Sequence, residues 1–265
     1  MIKIGISGAL GRMGRTIGEL ALKDQDFSIL LALERENHPS LNSDYGETLL
    51  QSPKQVYVTS SPEPGIQNTE VIIDFSNPEN TIKLLPLCEK YQKAMVIGTT
   101  GFQKEQLEVI QESSKKIPIL LSPNMSLGVN LLFHLVELTA KVLKKQFEVE
   151  IMEIHHSKKK DSPSGTAVKL KDIILQEHGW DESKTIYGRK GMIGERPSDE
   201  VGIHALRGGD VVGEHTVFFF GEGERIEITH RATSRVIFAK GALFAAKWIY
   251  QKSPGFYTMK DALNL

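Results

Sequence analysis

The stretch KIGISGALGRMGRTIGELAL, residues 3–22, places an apolar run before a cluster of glycines and a helical pattern. It predicts a strand over Lys3–Ser7, a turn at the glycines and a helix over Arg12–Leu22. Phe27–Leu33 follows as a second apolar strand. This order of elements is typical of proteins that alternate strands and helices.

The same alternation continues to residue 121. Short apolar strands are predicted at Val71–Phe75, Ala94–Ile97 and Ile117–Leu121, separated by helices over Glu79–Tyr91 and Gln103–Lys115. All-apolar strands between helices indicate a sheet that helices cover on both faces. We therefore predict an α/β fold with a Rossmann-like, doubly wound parallel sheet.

The pattern changes after Asn124. Ser126–Gln146 has helical apolar spacing, and strand-like alternation follows from Phe147 to Ile151. Further strands, with few helices between them, are predicted at Val201–Arg207, Val211–Phe220 and Arg225–Arg231. Strands in this arrangement predict a second, α+β domain with an open mixed sheet.

Three segments of the second half carry separate expectations. Gln176–Asp199 is rich in Gly, Lys, Glu and Asp, and we expect a long surface loop there. Ser234–Tyr250 returns to a helical pattern. We expect the apolar run Val217–Phe220 to be exposed, and it would be an aggregation liability at a sheet edge unless it were covered. We therefore expect self-association through residues between Ser126 and Arg231.

The composition excludes several classes of function. With 32 basic and 33 acidic residues among 265, the formal charge is -1 at pH 7. The net charge creates no electrostatic field strong enough to hold nucleic acid or an anionic membrane. An anionic ligand therefore needs a local cluster of basic groups. The single cysteine, Cys88, lies in an apolar run and is predicted to be a buried thiol. We expect a cytoplasmic protein, since the N-terminus lacks a signal-peptide pattern.

The glycine turn predicts a nucleotide site. It reads Gly8, Ala9, Leu10, Gly11, Arg12, Met13 and Gly14, a G-x-x-G-x-x-G spacing that is a weak signal by itself. In this context a pyrophosphate can approach backbone N–H groups at a helix N-terminus. Glu34, at the end of the second strand, suits the adenosine ribose, and Arg35 suits a 2′-phosphate.

Later strand ends are candidates for the nicotinamide side, because ligands of doubly wound sheets line the carboxyl ends of strands. Ordinary polar loops would have the same composition. The candidates are Gly98, Thr99, Thr100, Ser122, Pro123, Asn124 and Met125.

The segment Glu153–Ala167 predicts an anion site of a different kind. Two imidazoles end a strand, three lysines follow, and Ser164 is a candidate N-cap for a helix. Ammonium groups, imidazole N–H and helix N-terminal N–H groups can together hold a dicarboxylate. A metal bound by His155 and His156 is the alternative, but further ligands at suitable spacing are missing from the segment. A solvated lysine run is the other alternative.

Seven motifs run in order across almost the whole chain. They are G-A-L-G-R-M-G (8–14), E-R (34–35), G-T-T-G (98–101), P-N-M-S-L-G-V-N (123–130), H-H-S-K-K-K-D-S-P-S-G-T-A (155–167), R-G-G-D-V-V-G-E-H-T (207–216) and E-I-T-H-R-A (227–232). In these motifs the chain resembles the 4-hydroxy-tetrahydrodipicolinate reductase (dihydrodipicolinate reductase) family, and the His-His-x-x-Lys…Ser-Gly-Thr element is highly specific.

The resemblance implies roles for the matching residues. His155 would be a proton donor or acceptor and Lys159 a proton donor. Substrate would bind at His156, Ser164, Gly165 and Thr166. The glycine turn would hold the pyrophosphate of NADH or NADPH, with Glu34 on the ribose and Arg35 on the 2′-phosphate. The other strand-end candidates would line the nicotinamide, and no metal is implied.

The resemblance also implies an activity and an assembly. The expected reaction is the NAD(P)H-dependent reduction of 4-hydroxy-tetrahydrodipicolinate to tetrahydrodipicolinate, with loss of water, in lysine biosynthesis by the diaminopimelate pathway. Residues 1–125 and 235–265 would bind the dinucleotide, and residues 126–234 would bind substrate and form a homotetramer. A noncatalytic NAD(H)-binding redox sensor, or another two-domain reductase such as homoserine or aspartate dehydrogenase, is the competing hypothesis.

Overall fold

The computed structural model describes residues 1–265, except for the side chain of Lys145. The chain forms two compact units, Met1–Leu127 with Val236–Leu265, and Gly128–Arg235. In chain order the elements are β1 (Ile2–Ser7), α1 (Arg12–Ala21), β2 (Phe27–Leu33), α2 (Tyr45–Leu50), β3 (Val58–Thr59), α3 (Glu63–Ile66), β4 (Val71–Asp74), α4 (Pro78–Lys90), β5 (Ala94–Ile97), α5 (Lys104–Ser114), β6 (Pro118–Leu121), α6 (Leu127–Leu143), β7 (Glu148–His155), α7 (Gly165–His178), β8 (Thr185–Tyr187), β9 (Val201–Arg207), β10 (Gly213–Gly221), β11 (Glu224–Ala232), α8 (Val236–Ile249), β12 (Gly255–Tyr257) and α9 (Met259–Ala262), with short 3₁₀ turns at Lys144–Gln146 and Glu182–Lys184.

The first unit is built on a seven-stranded sheet in the order β12-β6-β5-β4-β1-β2-β3. Every neighbouring pair of these strands is parallel. The chain leaves β1 toward β2 on one side, and β4 lies on the other side. The direction of winding therefore reverses at β1, which is where doubly wound sheets form their ligand crevice.

Helices cover both faces of this sheet. On one face, α1 and α8 pack over residues such as Ile4, Ile6 and Ile73. On the other face, α4 and α5 pack over Ile72 and Met95. Burial on both faces explains why these strands are almost entirely apolar. The expectation of a Rossmann-like parallel sheet is confirmed, and Cys88 is fully buried in α4.

The second unit is built on a five-stranded sheet in the order β11-β10-β7-β9-β8. β7 is antiparallel to β10 and parallel to β9, so the sheet is mixed, as predicted. The buried face of β7 packs with α6 and α7 in one core. Along β7 buried and half-buried residues alternate, so Val149, Ile151, Glu153 and His155 share the inner face.

Two expectations require correction. Residues 176–199 are not one loop, because α7 extends to His178 and β8 pairs with β9. The run Val217–Phe220 is not uniformly exposed. Val217 and Phe219 are fully buried, whereas Phe218 and Phe220 are half-buried on the opposite face. The alternation of a strand divides an apolar run between the two faces of its sheet.

Candidate nucleotide and substrate sites

The glycine turn after β1 is shaped by close backbone contacts. Gly8 has a φ of +73°, a conformation that side chains disfavour. A Cβ on Gly14 would lie 2.1 Å from the Gly8 carbonyl oxygen, so the first turn of α1 has room only for glycine there. The buried Tyr45 hydroxyl donates to the carbonyls of Ala9 and Gly14, at 3.0 and 2.8 Å. The Tyr45 side chain therefore holds the glycine turn in place.

The N-terminus of α1 has the properties of an anion site. Gly11 is the N-cap and supplies no side-chain hydrogen bond. The first N–H groups of a helix have no partner within the helix, and the helix dipole adds positive potential there. A pyrophosphate group fits this donor set, because no side chain occupies it and glycine permits close approach.

Glu34 and Arg35 extend this site from the end of β2. The Glu34 carboxylate accepts the N–H of Leu10 at 3.0 Å, which holds it against the glycine turn. Arg35 is exposed, and both residues line a cavity of about 380 Å³. The other residues that line this cavity are Ser7, Gly8, Leu10, Gly11, Leu33, His38, Phe75, Ser76, Asn77 and Asn80.

A buried carboxylate organises the next strand end. Asp74, at the end of β4, accepts hydrogen bonds from the hydroxyls of Ser76, Thr81 and Thr99. Thr99 in turn accepts the N–H of Ser76 at 3.0 Å, which joins the loops after β4 and β5. The Phe75 ring packs against Gly98. The network fixes two loops that flank the cavity.

The remaining strand-end candidates lie at the ends of β5 and β6 and do not line the cavity. Thr99 is buried and Thr100 is exposed. Ser122 donates its hydroxyl to the Asn124 carbonyl at 2.8 Å. Met125 is buried, and its carbonyl lies against Gly241 of α8. The glycine turn, Glu34 and Arg35 therefore share one cavity, while these residues belong to adjacent strand ends.

In the second unit, His155 ends β7 as predicted. Its Nδ1 lies 2.6 Å from Oε2 of Glu153, and its ring meets that of His215 edge to face at 5.1 Å. Burial lowers the pKa of His155 below its ordinary value, and Lys159 and Arg207 lower it further, while Glu153 opposes them. The ring is therefore neutral at pH 7.

Glu153 is fully buried and surrounded by donors. Arg207 donates to both carboxylate oxygens at 2.7 and 2.8 Å, and the N–H of Ser164 donates at 3.0 Å. Burial disfavours its charge, but the hydrogen bonds from Arg207, His155 and Ser164 outweigh burial and lower the pKa of Glu153. The carboxylate is ionised at neutral pH.

The start of α7 is capped as the sequence predicts. Ser164 is the N-cap, and its Oγ accepts the N–H of Ala167 at 3.2 Å and lies 2.9 Å from Nε2 of His215. Burial lowers the pKa of His215 to about 3, so this ring is neutral. Gly165 and Thr166 open the helix, with their N–H groups at its positive end.

Lys159 and His156 lie in the loop between β7 and α7. The Lys159 ammonium is 2.9 Å from the Asp161 carboxylate, and the backbone N–H of Lys159 donates to the His156 carbonyl oxygen at 3.1 Å. His156 is half-buried, and its N–H donates to Val211 at 2.8 Å. His155, His156, Lys159 and the first residues of α7 therefore form one continuous segment.

The structure adds residues that the sequence reasoning did not single out, namely Tyr45, Asp74, Glu153, Arg207 and His215. The sequence could have indicated Glu153, because it lies two residues before His155 on a strand and so lies on the same face of the sheet. No sequence pattern distinguishes Tyr45 and Asp74 from ordinary core residues. Among the described residues, no cluster of His, Cys, Asp and Glu is arranged to hold a metal ion.

The strand order, the glycine turn at the reversal point and the acidic residue after β2 define a nicotinamide-dependent oxidoreductase of the Rossmann class. The chain also matches two family profiles, "Dihydrodipicolinate reductase, N-terminus" over residues 2–125 and "Dihydrodipicolinate reductase, C-terminus" over residues 128–263. It belongs to the dihydrodipicolinate reductase family, which confirms the resemblance seen in the sequence.

Individual relatives agree with this assignment. The 4-hydroxy-tetrahydrodipicolinate reductase of Aquifex aeolicus is 54% identical over 100% of this chain and 99% of its own length. The enzyme of the same name from Syntrophotalea carbinolica is 46% identical over the full length of both. A dipicolinate-bound dihydrodipicolinate reductase from Paenisporosarcina sp. TG-14 superposes with a TM-score of 0.78, at 25% identity, over 97% of each chain.

Proposed function

We propose that this protein reduces 4-hydroxy-tetrahydrodipicolinate to tetrahydrodipicolinate, with loss of water, in lysine biosynthesis by the diaminopimelate pathway. The observation that carries the proposal is the β7–α7 segment, where His155 and Lys159 directly precede a capped helix N-terminus. The names of the full-length relatives support the same reaction.

We assign the dicarboxylate substrate to this segment. The N–H groups of Gly165 and Thr166 and the His156 side chain are suited to the carboxylates, because helix N-termini and imidazoles donate to anions. Ser164 acts by holding the helix start, since its hydroxyl and N–H are already engaged. His155 and Lys159 exchange protons with the substrate as the ring is reduced.

The nicotinamide cofactor belongs on the first unit. Gly8–Gly14 would hold its pyrophosphate, and Gly98–Thr100 with Ser122–Met125 would line the nicotinamide. The bound cofactor supplies the hydride. We propose that both NADH and NADPH serve, because the Glu34 carboxylate suits a ribose diol and the adjacent Arg35 guanidinium suits a 2′-phosphate.

We further propose that the two units have separate functions. The first, with the returning α8, binds the dinucleotide, and the second binds substrate and forms a homotetramer. No helix in the described part of the chain has the length and apolar character of a membrane span. We propose a cytoplasmic location because the single cysteine is buried and reduced.

Turnover tests the proposal directly. The purified protein, supplied with the condensation product of pyruvate and aspartate semialdehyde, should consume NADH or NADPH, seen as loss of reduced-nicotinamide absorbance. A redox sensor would bind the cofactor without consuming it. A homoserine or aspartate dehydrogenase would instead reduce NAD(P)⁺ with its own substrate. Either result would replace the proposed function.

A further inference from the structure

Each oxygen of the Glu153 carboxylate has two hydrogen-bonding groups against it. Arg207 occupies one position on each oxygen, the Ser164 N–H donates to Oε1, and His155 Nδ1 lies 2.6 Å from Oε2. The side chain is 0% exposed. Arg207 reaches this position because it pairs with His155 in the parallel register of β7 and β9. The carboxylate therefore cannot rotate without losing several hydrogen bonds.

The contact with His155 fixes the position of a proton. An ionised carboxylate only accepts hydrogen bonds, so Nδ1 of His155 must carry the hydrogen that joins them. In the neutral ring, Nε2 is then unprotonated and free to accept a proton. Nε2 points toward Gly213 on β10, since a Cβ built there would lie 2.9 Å from it. A glycine at this position leaves space beside the atom.

We propose that Glu153, itself held by Arg207, is a positioning residue that keeps His155 in the Nδ1–H tautomer, so that Nε2 is the atom that exchanges a proton with substrate. The proposal rests on the proposed function for the identity of that substrate. Nε2 takes a proton from solvent to give the imidazolium, stabilised by Glu153, and donates that proton to the substrate as hydride is transferred, which restores the neutral ring. The other charged or titratable groups that face His155 are Lys159, Arg207 and His215.

A purely structural ion pair is the alternative explanation. Arg207 is one-fifth exposed, whereas Glu153 is fully buried, so losing one partner leaves the other poorly compensated. A Glu153→Gln variant would therefore be less stable under either explanation. The double variant Glu153→Gln/Arg207→Gln removes both charges together. If the pair only stabilises the fold, this variant should regain activity along with stability.

Glu150 provides a matched control on the same strand. Its carboxylate also binds arginine, at 2.7 Å from Arg189 and 2.9 Å from Arg196, and lies 2.7 Å from His204 Nε2. It lies on the opposite face of β7 from His155. Glu150→Gln therefore breaks a comparable cluster without touching the His155 ring, and kcat should remain near that of the wild type.

The experiment combines ring nitrogen-15 NMR with kinetics on the full chain. Signals of His155 are assigned from a His155→Gln variant. In the wild type we expect a protonated Nδ1 and an unprotonated Nε2. In Glu153→Gln we expect loss of this preference, a lower His155 pKa and a pH–rate limb moved to lower pH. We also expect kcat to fall on the order of 10²-fold. The double variant should regain thermal stability without regaining kcat.

Two results would overturn the proposal. One is a wild-type His155 ring protonated on Nε2 rather than Nδ1. The other is a double variant that regains kcat together with its melting temperature. The wild-type NMR result does not depend on the folding of any Glu153 variant, since its assignment uses only His155→Gln. A wild type that shows the expected tautomer but does not turn over the substrate would contradict the proposed function and not the tautomer assignment. The two failures are therefore distinguishable.

Discussion

Arg35 has a charge that nothing in the described part of the chain neutralises. Its guanidinium has no hydrogen bond or ion pair to another described residue, and it lines the cavity beside the glycine turn. Glu34, the neighbour, is already oriented by the N–H of Leu10. Glu34 is thus held in place, where its carboxylate can accept hydrogen bonds from ribose hydroxyls. The Arg35 guanidinium is available to pair with a phosphate.

Replacing Arg35 with alanine should weaken NADPH far more than NADH. A charge-assisted hydrogen bond contributes about 1.5–3 kcal/mol, which corresponds to about 10- to 160-fold in the Kd of NADPH. Cofactor affinities from isothermal titration provide the measurement. Lys23→Ala, which removes an exposed charge at the end of α1, serves as the control. Equal losses for NADH and NADPH would argue against the assignment of Arg35.

His155 and Lys159 are expected to act in the chemical step and not in cofactor binding. Lys159→Ala and His155→Ala should each lower kcat by on the order of 10²–10⁴ with nearly unchanged cofactor affinity. The two losses should combine less than additively, because the residues act together. His156→Ala should act mainly on KM. Full kcat in Lys159→Ala, with chemistry shown to be rate-limiting, would remove Lys159 from the mechanism.

Single residues were predictable where their role is local in sequence. The Ser164 cap, the end of β7 at His155 and the glycine turn each follow from a few neighbouring residues. The Arg207 contact with Glu153 spans 54 positions and depends on the register of β7 against β9. A register depends on the packing of the whole sheet, so periodicity along one strand does not reveal it.

At the scale of elements, pattern separates what was predicted from what was missed. Strands such as β2 and the four-residue β5 are recognised by an apolar run between turn residues, and the long helices by their apolar period. The structure adds α2, β3, α3, β12 and α9, which are two to six residues long. Elements this short are stabilised by contacts with their neighbours and carry little pattern of their own. β8 belongs with them, since it exists through its pairing with β9.

β7 should make the second unit sensitive to acid. Glu150 is 13% exposed, and although burial opposes its charge, Arg189, His204 and Arg196 lower the pKa of its carboxyl to about 2. The folded pKa lies below the usual 4.5, so this carboxylate stabilises the fold above that pH. That stability is lost as the pH falls from about 4.5 toward 2, by on the order of 1–3 kcal/mol.

Urea unfolding at pH 7 and at pH 3 measures this effect. The wild type should have a clearly lower midpoint at pH 3. Glu150→Gln should be less stable at pH 7 and lose less on acidification, because the titrating group is gone. Glu112→Gln removes an exposed ion pair with Lys115 and should change neither value much. An unchanged pH dependence in Glu150→Gln would assign the acid sensitivity to other carboxyls.

At the scale of the whole molecule, the two units have separate cores and separate sheets. The first unit buries both faces of its sheet under helices. The second buries one face under α6 and α7, and its other face has half-buried or exposed apolar groups on three neighbouring strands. These are Met152, Ile154, Leu206, Phe218 and Phe220. The Phe218 and Phe220 rings stack at 5.7 Å, and the cross-strand neighbours of Phe218 are Glu150 on β7 and Glu227 on β11. A monomer would leave this surface in water.

We therefore expect the protein to be an oligomer at micromolar concentration, joined through this outer face of the second sheet. Phe218→Glu places a third carboxylate between Glu150 and Glu227 and should shift sedimentation toward the monomer, because burying an unpaired carboxylate is unfavourable. Leu138, which is 52% exposed on α6, provides the matched control. Leu138→Glu adds the same charge to a different apolar surface and should leave the assembly intact. A monomeric wild type would contradict the expectation. Dissociation by Leu138→Glu instead of Phe218→Glu would move the interface to α6.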